Sequence, residues 1–308
     1  SITYDVTTAP SDGTLFIDGS SGGTDDGTQD GESAIGTGTF TQADIDAGNL
    51  LYSHGGSEAS TDTFEFDLTD GTNTVAGNTF QLTIDGVNDA PRLSVSPTDP
   101  TFTEDGNSVE VFSSPNVDVV EDGQQIERIE LTVSNVIDGS AEKLIVDGSS
   151  AALTDDTVLT TSDNGLDVSV EVSETTATVT VDGGSVSETT ANTIIDTLAY
   201  EHTGDDPTIA LNRRITITKL TDDGGATNAG DDTATCSTSS NVSISSANDA
   251  PTLSTDARSL NSIDEDAAAN SGTQVSTILS SAGSTGDAED DTLGIAVISV
   301  DDTDGSWE

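Results

Sequence analysis

Two acidic corners are the parts of this chain whose residue types and spacing are best suited to chemistry. Residues 85–91 read Asp-Gly-Val-Asn-Asp-Ala-Pro, and residues 246–251 read Ser-Ala-Asn-Asp-Ala-Pro. Carboxylate, amide and backbone carbonyl oxygens are the ligands that Ca²⁺ takes in proteins, roughly six to eight at a time. Asn, Asp and Pro also favour turns without any metal. Each corner is therefore predicted to be a stiff turn and a candidate cation site.

A second set of acidic residues recurs near the start of each predicted unit. Residues 102–105 (Phe-Thr-Glu-Asp) resemble residues 263–266 (Ile-Asp-Glu-Asp), and acidic clusters follow at 118–122 and 287–291. The order from acidic start to Asn-Asp-Ala-Pro corner indicates an internal repeat. At the first joint between repeats, the predicted metal ligands are Asp85, Asn88, Asp89, Asp118 and Glu121. At the second joint, they are Glu104 or Asp105 together with Asn248, Asp249, Asp287 and Glu289.

The repeat also includes a strand that carries a Tyr and a His. Residues 50–56 (Leu-Leu-Tyr-Ser-His-Gly-Gly) match residues 198–204 (Leu-Ala-Tyr-Glu-His-Thr-Gly), and these stretches contain both His residues of the chain. Neither His54 nor His202 has a Cys, a second His or a Glu-x-x-His spacing nearby, which disfavours a metal-binding or catalytic role. We expect each His to end a strand, to pack beside its Tyr and to hydrogen-bond a loop carbonyl.

The composition favours small β modules. Hydrophobic residues make up 32% of the 308 residues and aromatic residues 4%, which suits thin two-layer domains. The 57 acidic and 7 basic side chains give a formal charge of −50, and such a chain repels nucleic acid. High salt, disorder or divalent cations would each account for this charge. Disorder alone fits poorly with the visible strand periodicity, so bound cations are expected.

Period-two alternation predicts strands along most of the chain, for example around Phe64 and Phe80. Asp-Gly, Asn-Gly and Gly-Gly pairs between several of these runs are typical of hairpin turns. Residues 18–38 lack an apolar period and predict a flexible acidic loop, whereas residues 41–48 predict a turn or short helical piece. Between the two corners, strands are predicted at 109–112, 129–133, 144–146, 168–172, 177–181, 214–220 and 241–244.

Several classes of protein are excluded by what the sequence lacks. The single Cys236 allows no internal disulfide and is expected to be a lone buried or half-buried thiol. No run of eighteen apolar residues is present, so no membrane insertion is expected in this segment. No Gly-x-Ser-x-Gly elbow, phosphate-binding glycine motif or aromatic sugar platform is found. We therefore do not expect an enzyme.

Taken together, these motifs resemble the cadherin-like repeats of large bacterial surface proteins and adhesins. Residues 1–91 resemble the chondroitin-sulfate-proteoglycan type, through residues 40–45, 51–54, 62–66 and 87–91. The resemblance implies an all-β fold of tandem cadherin-like, immunoglobulin-like antiparallel β-sandwich domains in an elongated rod, with calcium at the joints. The implied domains are an incomplete repeat at 1–91, a complete repeat at 92–251 and the start of a third at 252–308.

The function expected from these features is structural. We expect a segment of a longer secreted or surface-attached protein, acting as an adhesin stalk or an extracellular filament stiffened by calcium. The expected partners are neighbouring repeats of the same polypeptide, further copies in a filament, or a ligand on a cell surface or polysaccharide. The alternative is a calcium-dependent carbohydrate-binding module, which the scarcity of aromatic residues disfavours.

Overall fold

The computed structural model describes residues 1–18, 32–250, 252, 253, 262, 274, 285 and 286. The chain divides into two compact units. The first contains residues 1–89 and 226–231, and the second contains residues 90–225 and 232–308. The predicted repeat limits after Pro91 and Pro251 stay predictions.

The first unit is a sandwich of two antiparallel sheets, with strand orders β4-β1-β6-β7 and β3-β2-β5. Both sheets contribute to one core, in which Val6, Phe40 and Phe64 come from the first sheet and Leu15 comes from the second. The elements are β1 (Thr3–Thr8), β2 (Gly13–Asp18), β3 (Glu32–Ala34), β4 (Thr39–Thr41), α1 (Gln42–Asp46), β5 (Leu50–His54), β6 (Thr61–Thr69) and β7 (Thr74–Thr83).

The short helix α1 confirms the helical piece predicted within residues 41–48, and a capping box begins it. The Thr41 side chain accepts the Asp44 N–H, and the Asp44 carboxylate accepts the Thr41 N–H at 2.7 Å. Hydrogen bonds from Thr41 lower the pKa of the Asp44 carboxyl below its usual value. This reciprocal pairing satisfies two amide groups that an isolated helical turn leaves without partners.

The prediction that residues 18–38 form a loop throughout is wrong in part. Residues 32–34 form β3, which pairs with β2 in the register Phe16 to Ala34. The polar residues Glu32 and Ser33 carry no apolar alternation, so pairing with the strongly apolar β2 decides the strand rather than local propensity. Residues 19–31 lie outside the described residues.

The second unit is larger and is also built mainly of antiparallel β-sheet. One sheet has the order β15-β16-β17-β12-β19-β21-β9, with β20 beside β19; another has the order β10-β18-β13-β14; β8 pairs with β11 and β22 with β23. Its strands are β8 (Arg92–Pro97), β9 (Thr101–Thr103), β10 (Val109–Glu110), β11 (Phe112–Asp118), β12 (Ile126–Ser134), β13 (Glu142–Val146), β14 (Ser149–Ala152), β15 (Thr157–Thr160), β16 (Asp167–Ser173), β17 (Thr176–Asp182), β18 (Ala199–His202), β19 (Arg213–Asp222), β20 (Thr233–Thr235), β21 (Ser239–Ser245), β22 (Thr252–Leu253) and β23 (Thr285–Gly286). Short 3-10 helices lie at Gly139–Ala141 and Thr227–Ala229.

Alternating Val, Ile and Leu side chains form the core of this second unit. Leu131 and Val133 of β12 face the same core as Val168 and Val170 of β16, as period-two alternation requires. All the strands predicted between the corners are present, although the run at 109–112 is divided between β10 and β11. The predicted all-β sandwich fold is confirmed.

A helix that the strand pattern did not predict, α2 (Glu188–Asp196), packs against the core of the second unit. Ser187 caps its first turn by accepting the Thr190 N–H at 3.2 Å. Ala191, Ile194 and Ile195 are its buried residues, a spacing typical of one helix face. In the described part of the chain, neither helix is long and apolar enough to cross a membrane.

Candidate metal-binding corners

The second corner contacts the acidic start of its own unit. The Glu104 carboxylate, directly after β9, accepts the N–H of Ala247 at 2.8 Å. The Glu104 N–H donates to the carbonyl of Ser245 at 2.9 Å, which extends the parallel pairing of β9 with β21. Glu104 is only 3% exposed. The Glu of the acidic start at residues 102–105 therefore contacts the corner that closes the same unit.

Glu104 and Asp105, which the sequence offered as alternatives, occupy different environments. Asp105 is exposed and has a positive φ of 58°, in a tight turn in which the Gly106 N–H donates to the Thr103 carbonyl at 2.9 Å. Glu104 is therefore the better placed of the two to act with the corner. Asn248 and Asp249 belong to that corner, and the Asn248 amide nitrogen donates to the Asp249 carbonyl at 2.9 Å.

The first corner follows the last strand of the first unit. The Ile84 N–H donates to the Ser60 carbonyl at 2.8 Å, after which the chain passes through Asp85 to Asn88 and Asp89. Asp85 and Asp89 are exposed. The Asn88 side-chain amide donates to the Asp231 carbonyl at 2.9 Å, and the Asn88 carbonyl accepts the Asp231 N–H at 2.8 Å. Asn88 is therefore fixed within its unit by both backbone and side chain.

The acidic cluster at 118–122 belongs to the second unit and has an unusual backbone. Asp118 ends β11, accepts the Val120 N–H at 3.0 Å and lies 3.7 Å from the Arg92 guanidinium. Val120 has a φ of 72°, a left-handed conformation that a β-branched residue rarely adopts. Such strained residues cluster at functional sites. Glu121 follows directly, and its N–H donates to the Val119 carbonyl at 2.9 Å.

The predicted ligands thus fall into three groups. Asp85, Asn88 and Asp89 belong to the first unit, and Glu104, Asp105, Asp118, Glu121, Asn248 and Asp249 belong to the second. Asp287 and Glu289 lie outside the described residues. The donors at the second corner are carboxylate, amide and backbone carbonyl oxygens, which is the ligand chemistry of Ca²⁺. These residues therefore fit a hard divalent cation.

A carboxylate beneath the Tyr of the first unit was not anticipated from the sequence. Asp62 is 3% exposed and accepts hydrogen bonds from the Tyr52 hydroxyl at 2.8 Å and from the N–H groups of Ser11 and Asp12, each at 3.0 Å. Burial alone would raise the pKa of Asp62, but these hydrogen bonds bring it below its usual value. Burial and the neighbouring Asp62 raise the pKa of Tyr52 to about 12. The network anchors the loop that enters β2.

The second unit anchors the equivalent loop with a different set of charges. Glu142 accepts the Tyr200 hydroxyl at 3.2 Å and the N–H groups of Ile137 and Asp138, each at 2.8 Å. It also pairs with the Arg213 guanidinium at 2.8 Å, and both side chains are fully buried. Burial and the charge of Glu142 raise the pKa of Tyr200.

The two networks are related by an exchange of charge. Asp62 and Arg213 each lie two residues before the first buried apolar residue of their strand, Phe64 and Ile215 respectively. The carboxylate of the first unit is thus replaced by a guanidinium in the second, and Glu142 on β13 supplies the acceptor instead. Aligning the two units at this position would have revealed the change of sign.

The hydrogen-bond partners predicted for the two His residues are wrong. His202 accepts the Gly204 N–H at Nδ1, at 3.1 Å, and its Nε2 lies 3.3 Å from the Asp138 carboxylate. His54 accepts the Gly56 N–H at Nδ1, at 3.3 Å. The turn that follows each strand presents N–H groups to the ring rather than a carbonyl. Both residues do end their strands, as predicted.

Asp138 links His202 to Arg213 in the second unit. It accepts the Arg213 guanidinium at 2.7 Å and the Thr208 N–H at 2.9 Å, in addition to its contact with His202. Burial alone would raise the pKa of Asp138, but Thr208 and the two basic side chains bring it below its usual value.

Cys236 is half-buried, as predicted, and burial raises the pKa of its thiol.

Comparison with known proteins finds a similarity in the first unit. Residues 1–84 match the model of a cadherin-like family, which confirms the resemblance over those residues. No curated protein matches the chain. A cadherin-like domain indicates an adhesive or structural role outside the cell, commonly with bound calcium and interacting neighbour repeats, and the family is typically non-enzymatic.

Proposed function

We propose that this chain is a structural segment of a secreted or surface-attached tandem-repeat protein, an adhesin stalk or extracellular filament. In this proposal, each unit is one cadherin-like repeat, successive repeats form a rod, and calcium stiffens the joints between them. The cadherin-like match of residues 1–84 supports the repeat type and the extracellular role. The repeated motifs at residues 102–105 and 246–251 extend the proposal to the second unit.

The observation that carries the proposal is the contact between Glu104 and Ala247. Within one unit, a nearly buried carboxylate is bound directly to the backbone of the Asn-Asp-Ala-Pro corner. A carboxylate held at this corner is one of the oxygen ligands that Ca²⁺ takes in proteins. Asp249 and Asn248 lie beside Ala247 in sequence and offer further oxygen ligands.

The overall charge supports the same conclusion. A formal charge of −50 on 308 residues destabilises a compact chain through self-repulsion. Cations held at fixed acidic positions would reduce that repulsion where repeats meet. Calcium would then stabilise each unit and also restrict movement between successive units.

Glu104→Gln tests the metal site while it preserves the contact with Ala247. The Gln side-chain oxygen still accepts the Ala247 N–H, whereas the charge needed by Ca²⁺ is lost. We expect at least a tenfold loss of calcium affinity by calorimetric titration, with little change of the Tm in chelator. Glu127→Gln is the matched control, because Glu127 is an exposed residue of β12 and loses the same charge. Equal calcium affinities of the two variants would overturn the proposed role of Glu104.

A further inference from the structure

The peptide bond between Asp99 and Pro100, in the second unit, has a strained residue on its N-terminal side. Asp99 has a φ of 46°, in the left-handed region that costs energy for most residues with a side chain. The residue before a Pro is also restricted, because the Pro ring favours an extended backbone there. Among the described residues that precede a Pro, only Asp99 and Ser114 have a positive φ. Asp99 is therefore strained for two separate reasons.

Hydrogen bonds from strand β21 hold this conformation on both sides of the bond. The Asp99 N–H donates to the Ser240 hydroxyl at 3.1 Å, and the Asn241 N–H donates to Oδ1 of Asp99 at 2.8 Å. After the bond, the Pro100 carbonyl accepts the Ser243 N–H at 2.9 Å. Strained residues persist only where the surrounding structure fixes them. The regular strand β21 provides that support for Asp99.

The strained residue also carries a group that can attack this bond. An Asp carboxylate can act as a nucleophile, and it reaches the carbonyl carbon of its own residue by closing a small ring. The nitrogen of a Pro peptide is a tertiary amide, which accepts a proton more readily than an ordinary peptide nitrogen and leaves more easily. Asp99 is exposed, so water and acid reach the bond. Strain, nucleophile and leaving group therefore meet at one peptide bond.

We propose that the chain cleaves itself between Asp99 and Pro100. The Asp99 carboxylate forms a C–O bond to the carbonyl carbon of its own residue, and the C–N bond to Pro100 breaks as the prolyl nitrogen takes a proton from the solvent. One water then hydrolyses the cyclic anhydride, which restores the Asp99 side chain and leaves a free carboxyl group at its backbone. The products are residues 1–99 and 100–308. Cleavage releases the strain at Asp99, so the strain accelerates the reaction.

The proton that the prolyl nitrogen needs is assigned to the solvent. Strand β21 contains no titratable side chain, and Glu110 is the titratable residue of β10. Strand β10 lies beside the bond, because the Glu110 carbonyl accepts the Thr98 hydroxyl at 2.7 Å. Since the leaving nitrogen must be protonated, cleavage is expected to become faster as the solution becomes more acidic.

The two fragments are expected to stay together after cleavage. Strand β8 of the first fragment pairs with β11 of the second. Asn88 of the first fragment is also bound to Asp231 of the second by two hydrogen bonds within the first unit. Cleavage would thus replace a covalent connection by strand pairing, which denaturant can separate. This activity goes beyond the proposed function and does not depend on calcium, so each proposal can fail without the other.

The second Asp-Pro pair of the sequence, Asp206-Pro207, provides an internal control, because the φ of Asp206 is not positive. The full chain is incubated in mildly acidic buffer that leaves its circular dichroism spectrum unchanged, and mass spectrometry follows both bonds. We expect cleavage after Asp99 to be about tenfold faster than after Asp206, the factor that strain of this kind supplies. In urea, where the strain is lost, the two rates should be similar. Equal rates in the folded chain, or the same ratio in buffer and in urea, would overturn the proposal.

Asp99→Asn tests the nucleophile. Asn keeps an oxygen that accepts the Asn241 N–H and tolerates a positive φ, but it lacks the carboxylate. We expect cleavage after residue 99 to fall at least tenfold, with cleavage after Asp206 unchanged. Asp99→Glu keeps the charge but must close a larger ring, so it should also be slow, and it decides the result if Asp99→Asn lowers the Tm. Cleavage of both variants at the rate of the unaltered chain would contradict the role of the Asp99 carboxylate.

Discussion

The buried ion pair between Glu142 and Arg213 shows how a single residue can determine the stability of the second unit. Both side chains are fully buried and 2.8 Å apart. Removing one partner of such a pair leaves a buried charge uncompensated, which costs about 3–5 kcal/mol. We expect Glu142→Gln to lower the free energy of unfolding by an amount near the lower end of this range in a urea titration, because Asp138 still contacts Arg213.

The exposed pair of Arg128 and Asp182, at 3.1 Å, provides the matched control for this prediction. Asp182→Asn should change the free energy of unfolding by less than about 1 kcal/mol, because solvent screens the pair. Similar losses for Glu142→Gln and Asp182→Asn would contradict the assigned burial.

The two Tyr hydroxyls that bind carboxylates predict how the protein responds to alkali. Because the pKa of Tyr52 is raised to about 12 in the folded protein, its contribution to stability is complete below the ordinary value of about 10. That contribution is lost as the pH rises from about 10 through about 12. Absorbance titration near 295 nm should show Tyr52 and Tyr200 ionising later than a model tyrosine. Asp62→Asn should lower the pKa of Tyr52 but leave the effect of burial; an unchanged titration would contradict the assigned contact.

Sequence reasoning placed some of these residues and missed others for a physical reason. Glu104 was found because it lies within the repeated motif at residues 102–105, and its partner Ala247 lies within the repeated corner at residues 246–251. Glu142 and Arg213 are 71 residues apart and carry no local pattern that links them. Only the fold brings Glu142 and Arg213 together. The one sequence signal was that a basic residue, Arg213, stands in the second unit where the first unit has the acidic Asp62.

At the scale of elements, strands were predictable and the second helix was not. Val168 and Val170 alternate with polar residues as a half-buried strand requires, and β16 is present. Helix α2 contains three Thr and two Ile residues, which have only modest helix propensity. The spacing of Ala191, Ile194 and Ile195, which places them on one helix face, was the sequence signal for α2. Packing of this face against the core outweighs the modest helix propensity of the segment.

Because α2 has low propensity, its cap is expected to matter. Ser187→Ala removes the acceptor of the Thr190 N–H and should lower the free energy of unfolding by about 1 kcal/mol. Ser187→Asp keeps an acceptor at the cap and should leave the stability nearly unchanged. Chemical denaturation followed by circular dichroism measures both variants. Equal stabilities of the two variants would contradict a capping role for Ser187.

At the scale of the whole molecule, the acidic charge and the repeat order determine the expected behaviour. The sandwich fold followed from composition and alternation, because few apolar residues can form only thin layers. The elongated rod and the metal positions stay predictions, since ligands drawn from successive repeats depend on how the repeats are arranged. Any salt should stabilise a chain with a charge of −50, so a specific effect of calcium must be separated from screening.

The most direct test of the central claim is the Tm of the full chain during a calcium titration, at an ionic strength held constant with NaCl. If calcium binds at specific sites, the Tm should rise with calcium concentration and then level off when the sites are full. About 2.7 kcal/mol is expected at a hundredfold excess over the Kd, which corresponds to roughly 5–10 °C for a unit of about 150 residues. Magnesium at the same concentration should give a smaller rise. A Tm in calcium equal to that in NaCl of the same ionic strength would contradict calcium binding as the source of stiffness.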